Sequence, residues 1–521
     1  MTALIFNKKL NEIEDIINKH LPIKQNKKVL TGEVFTPFYL IDEMLSKLPN
    51  NVWKNPNLKW LDPGSGIGNF SMLVFYYLDD GLKSWEKNTS KRHKHIIENM
   101  IYMIELEKDN VVKAKEIFGS TCNISNSDFL DSNKWKNNLN IDVFDIILGN
   151  PPYNKNGMRG KGRSNPGLTV IWNKFVDLSL DIIKKDGYCL FFTPNSWMEL
   201  KSALSNKIVE KQILLIKNFD VVDAYKLFEK KAGSLPLCYY LIQNKTPVDL
   251  TLIYDTVVKD FIEFNLNKYM FIPNKNVELI KKILNKSHDT LEDYYHFTPP
   301  KVKKDNQTFF DKFSKNHPYP LVNYVHKKIY VTFSKNYSRL QNGRPKLIFP
   351  NYSMGYPILD KEGILDVGGR SSYAILLDDD SIKNLEKIQQ FFLTDLALTL
   401  INSLKTAQKF LSTRTFSLFP DITKLDIPIN DSSLEKYFNL SKKEKYSIER
   451  QVKNGEGNLT EKRRKEIIDF SLKNVIDKNE MEFIKKELKN AKINDKKTFK
   501  TLKKRKRTKR RQKKTRSRKN N

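Results

Sequence analysis

Cysteine is nearly absent from this chain. Cys122, Cys189 and Cys238 are the three in 521 residues. So few cannot form a disulfide scaffold, and no CxxC pair offers a metal knuckle. A reducing, intracellular setting fits. Histidine is also sparse: seven residues, with no HExxH and no paired Cys/His set. His93-Lys94-His95 lacks further ligands and reads as helix surface, so no metal site is expected. No apolar run approaches the roughly 18–20 residues of a membrane span, and no membrane association is expected. The opening Met1-Thr2-Ala3-Leu4 lacks the basic-then-apolar layout of a signal peptide. Acidic residues are too few to balance the bases: 60 Asp+Glu face 91 Lys+Arg, a net charge of +31. That excess points to a polyanionic partner, nucleic acid first.

Hydrophobic residues make up 39% of the chain, enough to bury cores in most of it. The length predicts two or three domains. The charge is uneven: residues 495–521 hold 16 Lys/Arg and one acid. With almost no apolar content, this tail is expected to be disordered. It suits non-specific phosphate binding or a nuclear address, and composition does not choose between them.

The apolar pattern shows where the chain changes character. Leu10, Ile13, Ile16, Ile17 and Leu21 are spaced as a helix. Strand and helix then alternate: a strand at 58–61, a Gly-rich turn and a helix at 70–78. A strand at 101–105 follows, with a helix through Lys115. A third strand is expected at 121–125. Phe144-Asp145-Ile146-Ile147-Leu148 is a near-continuous apolar run, the mark of a buried parallel strand. A helix at 170–183 and a strand at 187–193 complete the rhythm. The fold class is therefore α/β with a doubly wound parallel sheet. From residue 246 the alternation breaks. Residues 296–430 mix short strands (328–333, 346–349) with one long helix at 382–400, an α+β pattern. The expected divisions are 1–27, an N-terminal helix; 28–245, the α/β domain; 246–430, an α+β domain; 431–494, a charged helical region; and 495–521, the basic tail.

Four features carry chemistry. Trp60-Leu61-Asp62-Pro63-Gly64-Ser65-Gly66-Ile67-Gly68-Asn69 is a strand, a small-residue turn and a helix start. Such a turn lets backbone approach a ligand and offers helix N–H groups. It is neither GxGxxG nor a phosphate-binding GK[ST] loop. Glu105 ends the next strand, where an acid can accept from both ribose hydroxyls. Glu107 suits a helix start better. Asp128-Phe129 follows the third strand; Asp128 can hold an exocyclic amine, with Phe129 against a ring. Lastly, Gly149-Asn150-Pro151-Pro152-Tyr153 follows the buried strand. Two prolines fix the backbone and remove two donors. Carbonyls, the Asn150 amide and an aromatic ring remain, a site for an exocyclic amino group on a planar base.

Taken in order, Asp62-Pro63-x-x-Gly66-x-Gly68, Glu105, Asp128-Phe129 and Asn150-Pro151-Pro152-Tyr153 resemble the S-adenosylmethionine-dependent DNA adenine-N6 methyltransferases of the gamma type. Upstream, Thr31-Gly32-Glu33-Val34-Phe35-Thr36-Pro37 is similar to the segment touching the methionine part of the cofactor. Residues 186–197 resemble the next core strand. Arg344 to Pro350 and Gly355-Tyr356 are more loosely similar to the recognition domains of the Eco57I-like and TaqI-like branch. The resemblance implies a Rossmann-like methyltransferase domain, a C-terminal DNA-recognition domain and S-adenosyl-L-methionine as cofactor. Thr36, Asp62, Gly64, Gly66, Gly68, Glu105, Asp128 and Phe129 would line that cofactor. Asn150, Pro151, Pro152 and Tyr153 would be catalytic, with Tyr153 stacking on the base. A second stacking aromatic is expected near Tyr240, with Tyr239 on the other face of the same strand.

Lys155, Arg159, Lys161 and Arg163 lie in a Gly-rich stretch after the catalytic turn and are expected to meet DNA phosphates. Lys335, Arg339, Arg344 and Lys346 interleave with Tyr330, Phe333 and Tyr337, and are also expected to contact DNA. Double-stranded DNA is the expected partner, a separate restriction endonuclease fits beside it, and a monomer is expected. Location would be cytoplasmic in a bacterium or phage, and nuclear or in a viral factory for a eukaryote or its virus. The same tetrapeptide occurs in enzymes that methylate guanine N2 in RNA or a glutamine amide in release factors. A catalytically silent DNA-binding protein is the remaining alternative. No convincing PD…(D/E)xK nuclease pattern is found, and the stretch before Val29 is expected to be too short for a nuclease domain.

Overall fold

Apolar segments that are buried on both faces make the centre of the fold. In the computed structural model, Ile101–Glu105 is buried at every position, and Phe144–Gly149 at all but one. The structure describes residues 4–6, 12, 36–154, 170–200, 202–228, 236–269, 271–287, 289–298, 311–325, 329–337, 340–350, 356–367, 372–404, 415–453 and 460–494. Apart from Glu12, the expected helix at 10–21, the loop cations Lys155, Arg159, Lys161 and Arg163, Arg339 and the tail lie outside the described residues. The chain divides into two compact units, Met1–Glu278 and Leu279–Asn521.

The first unit holds a nine-stranded sheet. Its strands are β1 (Trp60–Asp62), β2 (Ile101–Glu105), β3 (Asn123–Asn126), β4 (Phe144–Gly149), β5 (Ile183–Pro194), β6 (Gln212–Phe219), β7 (Leu237–Gln243), β8 (Thr251–Asp255) and β9 (Asp260–Phe264). Their order is β3-β2-β1-β4-β5-β7-β6-β8-β9. The first five pair in parallel. Crossover helices Asn69–Gly81, Lys108–Phe118, Ser132–Leu139 and Trp172–Ile182 make this possible. β7 inserts antiparallel between β5 and β6, and β9 is antiparallel to β8. The expected parallel sheet is thus parallel-dominated but mixed. Successive strands run outward in opposite directions from the β1/β4 junction. Ligands of such sheets sit beyond the strand carboxyl ends at that switch point.

Two features differ from expectation. The sheet continues through Phe264, past residue 245. β5 starts at Ile183, four residues early: Ile183 already pairs with Phe144, and a bulge over residues 184–187, with Asp186 at φ 62° and Gly187 against the Asp145 carbonyl, precedes the pairing of Tyr188 with Ile146. A Cβ on Gly187 would stand 2.6 Å from that oxygen.

The second unit has a four-stranded and a three-stranded sheet. Phe349, Phe391, Phe392, Phe416 and Phe419 pack ring against ring, with centroids such as Phe349–Phe392 at 4.7 Å. The expected single helix at 382–400 is two, Ile382–Phe392 and Asp395–Ser403. Thr394 breaks it, at ψ 156° with its side chain accepting from the Ala397 amide as an N-cap.

Candidate active site

The first component is the turn after β1. Gly66 and Gly68 have φ of 57° and 96°, which glycine adopts without strain. A Cβ on Gly68 would stand 2.5 Å from the Phe118 ring, so this glycine also permits close packing. Glu105, at the tip of β2, closes over the turn. Its Oε2 accepts from the Gly66 amide at 2.7 Å, and its Oε1 from the Glu107 amide at 2.7 Å. The Ser127 amide and Asn126 Nδ2 bond the Glu105 carbonyl, tying β3 to the same edge.

Asp62 is 3% exposed. Burial lifts its pKa to about 8, repulsion from Glu105 adds to the rise, and the Gly64 amide and Ser71 hydroxyl oppose it. Its Oδ2 is buried without a hydrogen-bond partner among the described residues, as are Ser65 Oγ and Asn69 Oδ1. Three such atoms around one glycine turn form a cradle whose polar capacity a ligand would satisfy.

The second component follows β4. Trp60 and Leu61 pair with Ile146 and Ile147, setting the ends of β1 and β4 side by side. A Cβ on Gly149 would stand 3.0 Å from Asp62 Oδ1, and one on Gly64 would stand 3.4 Å from Pro152 Cδ. The two turns therefore share one site. Asn150 is half-buried, and its Nδ2 donates to Thr36 Oγ1 at 3.1 Å. Tyr153 is half-buried, with its hydroxyl inside and unpartnered among the described residues. Burial holds that hydroxyl well above the usual phenol pKa. Its carbonyl accepts from the Ile171 amide at 3.1 Å, and Asn154 bridges Val170.

The structure brings Thr36, Asp62, Gly64, Gly66, Gly68, Glu105 and Asn150 to Tyr153 together at the carboxyl edge. Asp128 is exposed and accepts from the Leu130 amide at 2.9 Å, within a turn. Phe129 is 1% exposed, its ring packed against Trp135 and Phe175. Tyr240 does not present a face for stacking: it is fully buried, with Trp197 at 4.8 Å and Phe191 at 6.5 Å. Tyr239 is equally buried and donates to Glu43 at 2.6 Å. β7 is buried at every position from Leu237 to Ile242, so both of its faces are core. Lys346 is also corrected: it is 0% exposed and bonded to Asp360 at 2.6 Å, not placed to meet DNA. Arg344 bonds Asp380 at 2.8 Å and the Leu377 carbonyl at 2.7 Å. Lys335 is exposed.

Ser65 and Asn69 were not singled out from the sequence, although both lie inside the Gly-rich stretch. Nothing local marks Glu43 or Lys217, which join across 174 residues. Among the described residues, no cluster of three His, Cys, Asp or Glu forms a metal site, and no helix is long and apolar enough to cross a membrane.

Several known proteins resemble this chain. Residues 7–228 match the Eco57I restriction-modification methylase family. An uncharacterized adenine-specific methylase of Mycoplasma pneumoniae is 26% identical over 292 residues, covering 41% of this chain and 67% of that protein. Two solved proteins are similar at lower identity. One is the nuclease-deleted Type ISP restriction-modification enzyme LlaGI, solved with a DNA substrate mimic: 12% identical, TM-score 0.44, covering 85% of this chain and 48% of that one. The other is the M protein of the type I restriction enzyme EcoKI: 16% identical, TM-score 0.32, covering 42% of this chain and 48% of that one. This chain spans about half the length of these two solved proteins. The family match covers both turns of the site.

Proposed function

We propose that this protein is a DNA methyltransferase that transfers a methyl group from S-adenosyl-L-methionine to N6 of an adenine flipped out of double-stranded DNA. The observation carrying this is the apposition of Asn150-Pro151-Pro152-Tyr153 to the Asp62–Asn69 cradle at one switch point. The match of residues 7–228 to a restriction-modification methylase family supports it.

The cradle fits the cofactor: buried, unpartnered oxygens at Asp62, Ser65 and Asn69, glycine backbone, and the Glu105 carboxylate at the strand tip. When bound, the cofactor supplies an electrophilic methyl sulfonium. The protein's contribution is to position the acceptor. The Asn150 Oδ1 and the Pro151 carbonyl accept the two amino hydrogens and turn the nitrogen lone pair toward the methyl group. Extruding an adenine costs a few kcal/mol. Stacking on Tyr153, at about 1–3 kcal/mol per base, offsets part of it. No general base is assigned, and the proton leaves to water after transfer. Lys155, Arg159, Lys161, Arg163, Lys335 and Arg339 are proposed to meet phosphates. The second unit is proposed to read the DNA, a role resting on its basic, aromatic segments.

The test offers labelled S-adenosylmethionine with duplex DNA, RNA and a release-factor protein in parallel. Label in DNA, recovered as N6-methyladenine, is expected. Label in RNA or protein instead would overturn the substrate, and label nowhere despite DNA binding would favour a silent fold.

A further inference from the structure

The Asn150 amide is nearly symmetrical in shape but not in chemistry. Turned over, it exchanges an acceptor for a donor. One orientation receives an amino hydrogen; the other repels it. In the structure, Nδ2 faces Thr36 Oγ1 at 3.1 Å, although the two residues are 114 apart in sequence. Thr36 is 4% exposed, so its hydroxyl is shielded from bulk water.

The segment carrying Thr36 is held at its far end. Pro37 caps helix Phe38–Leu45, and its carbonyl accepts from the Leu40 and Ile41 amides. On that helix, Glu43 Oε1 accepts from the Tyr239 hydroxyl at 2.6 Å and from Lys217 Nζ at 2.5 Å. Lys217 and Tyr239 are register partners on β6 and β7. The helix is thus pinned to the antiparallel half of the sheet while Thr36 reaches the turn after β4.

We propose that Thr36 is a positioning residue for the target base. Its hydroxyl accepts from Asn150 Nδ2 and thereby fixes the amide with its carbonyl oxygen toward the amino group to be methylated. The proposal rests on the methyltransferase reading above. It differs from the cofactor contact that the resemblance implies for Thr36, and the two separate kinetically.

The test uses the full chain with Thr36→Val, which is near-isosteric and lacks the hydroxyl, and Thr36→Ser, which keeps it. Methyl transfer to unmethylated duplex DNA is measured at saturating cofactor and DNA. Thr36→Val is expected to lower kcat about tenfold or more, as a misoriented acceptor should. Cofactor affinity and the KM for DNA should move by no more than about twofold, because binding contacts are retained. Thr36→Ser should restore most of the rate. Thr36→Ala serves the same purpose should the valine variant misfold. An unchanged kcat overturns the proposal. So does a loss erased by saturating cofactor, which would make Thr36 a cofactor contact, or one that serine fails to restore. A wild type that labels nothing would instead contradict the methyltransferase reading itself.

Discussion

The carboxyl edge of the large sheet and the basic strands of the second unit both bury charged or polar side chains, with opposite results. At the edge, the polar capacity is left open: Asp62 Oδ2, Ser65 Oγ and Asn69 Oδ1 have no partner among the described residues. In the second unit, Lys346 is as deeply buried but closed. Its ammonium meets Asp360, whose carboxylate also accepts from the Ile364 and Leu365 amides. Arg464, on a helix and only partly buried, is also partnered: it bonds Asp395 and lies 3.5 Å from Asp431. Buried groups that are fully partnered belong to the fold. Buried groups left short of partners at a switch point mark where a ligand goes.

Substitution at the two buried ionisable side chains sharpens the contrast most. Lys346→Ala leaves Asp360 buried without its cation and should cost about 3–5 kcal/mol, read as a fall in the urea midpoint. Asp62→Asn replaces a carboxyl that burial keeps largely protonated below about pH 8 with a neutral amide of the same shape, so the midpoint at neutral pH should hold. Equal losses at both positions would erase the distinction.

A smaller effect is expected at Gly68. Alanine there meets the Phe118 ring and a φ of 96°. It should cost about 1–3 kcal/mol of stability, and it should weaken cofactor binding. Calorimetry with S-adenosylmethionine and a denaturation curve on the same variant check both.

The smallest effect is on pH dependence. The folded pKa of Asp62 is raised from 3.8 to about 8, by burial first. A raised carboxyl contributes stability that is fully present below its unfolded value and is lost as pH rises through about 8. A cofactor that is cationic at its sulfonium and ammonium favours the ionised form. Its affinity should therefore rise toward pH 8, by at most about tenfold per pH unit. Titrations between pH 6 and 9, as checked by calorimetry, should show this slope. Asp62→Asn should flatten it.

The legible parts were the local ones. The apolar run of β4 and the tetrapeptide after it are contiguous, so burial and chemistry could be read from a single stretch. The same holds for the glycine turn. Long-range partnership was not legible. Lys346 looks like any surface cation until β-pairing sets it opposite Asp360. Tyr239 and Tyr240 point to opposite faces of β7, and the structure buries both, because both faces of that strand are covered. β8 and β9 follow one another as an antiparallel pair with no helix between them, so the strand–helix alternation breaks at 246 although the sheet goes on. The break at Thr394 depends on a single side chain turning back onto the backbone.

The central claim is that Asn150 handles the base and the cradle handles the cofactor. The direct measurement is S-adenosylmethionine affinity and N6-methyladenine formation on the same Asn150→Ala protein. The account predicts affinity within about twofold of wild type, since no cradle contact is removed. It predicts transfer lowered by at least about 10²-fold, as for loss of a positioned catalytic hydrogen bond. Transfer at the wild-type rate, or loss of cofactor binding together with activity, would contradict it.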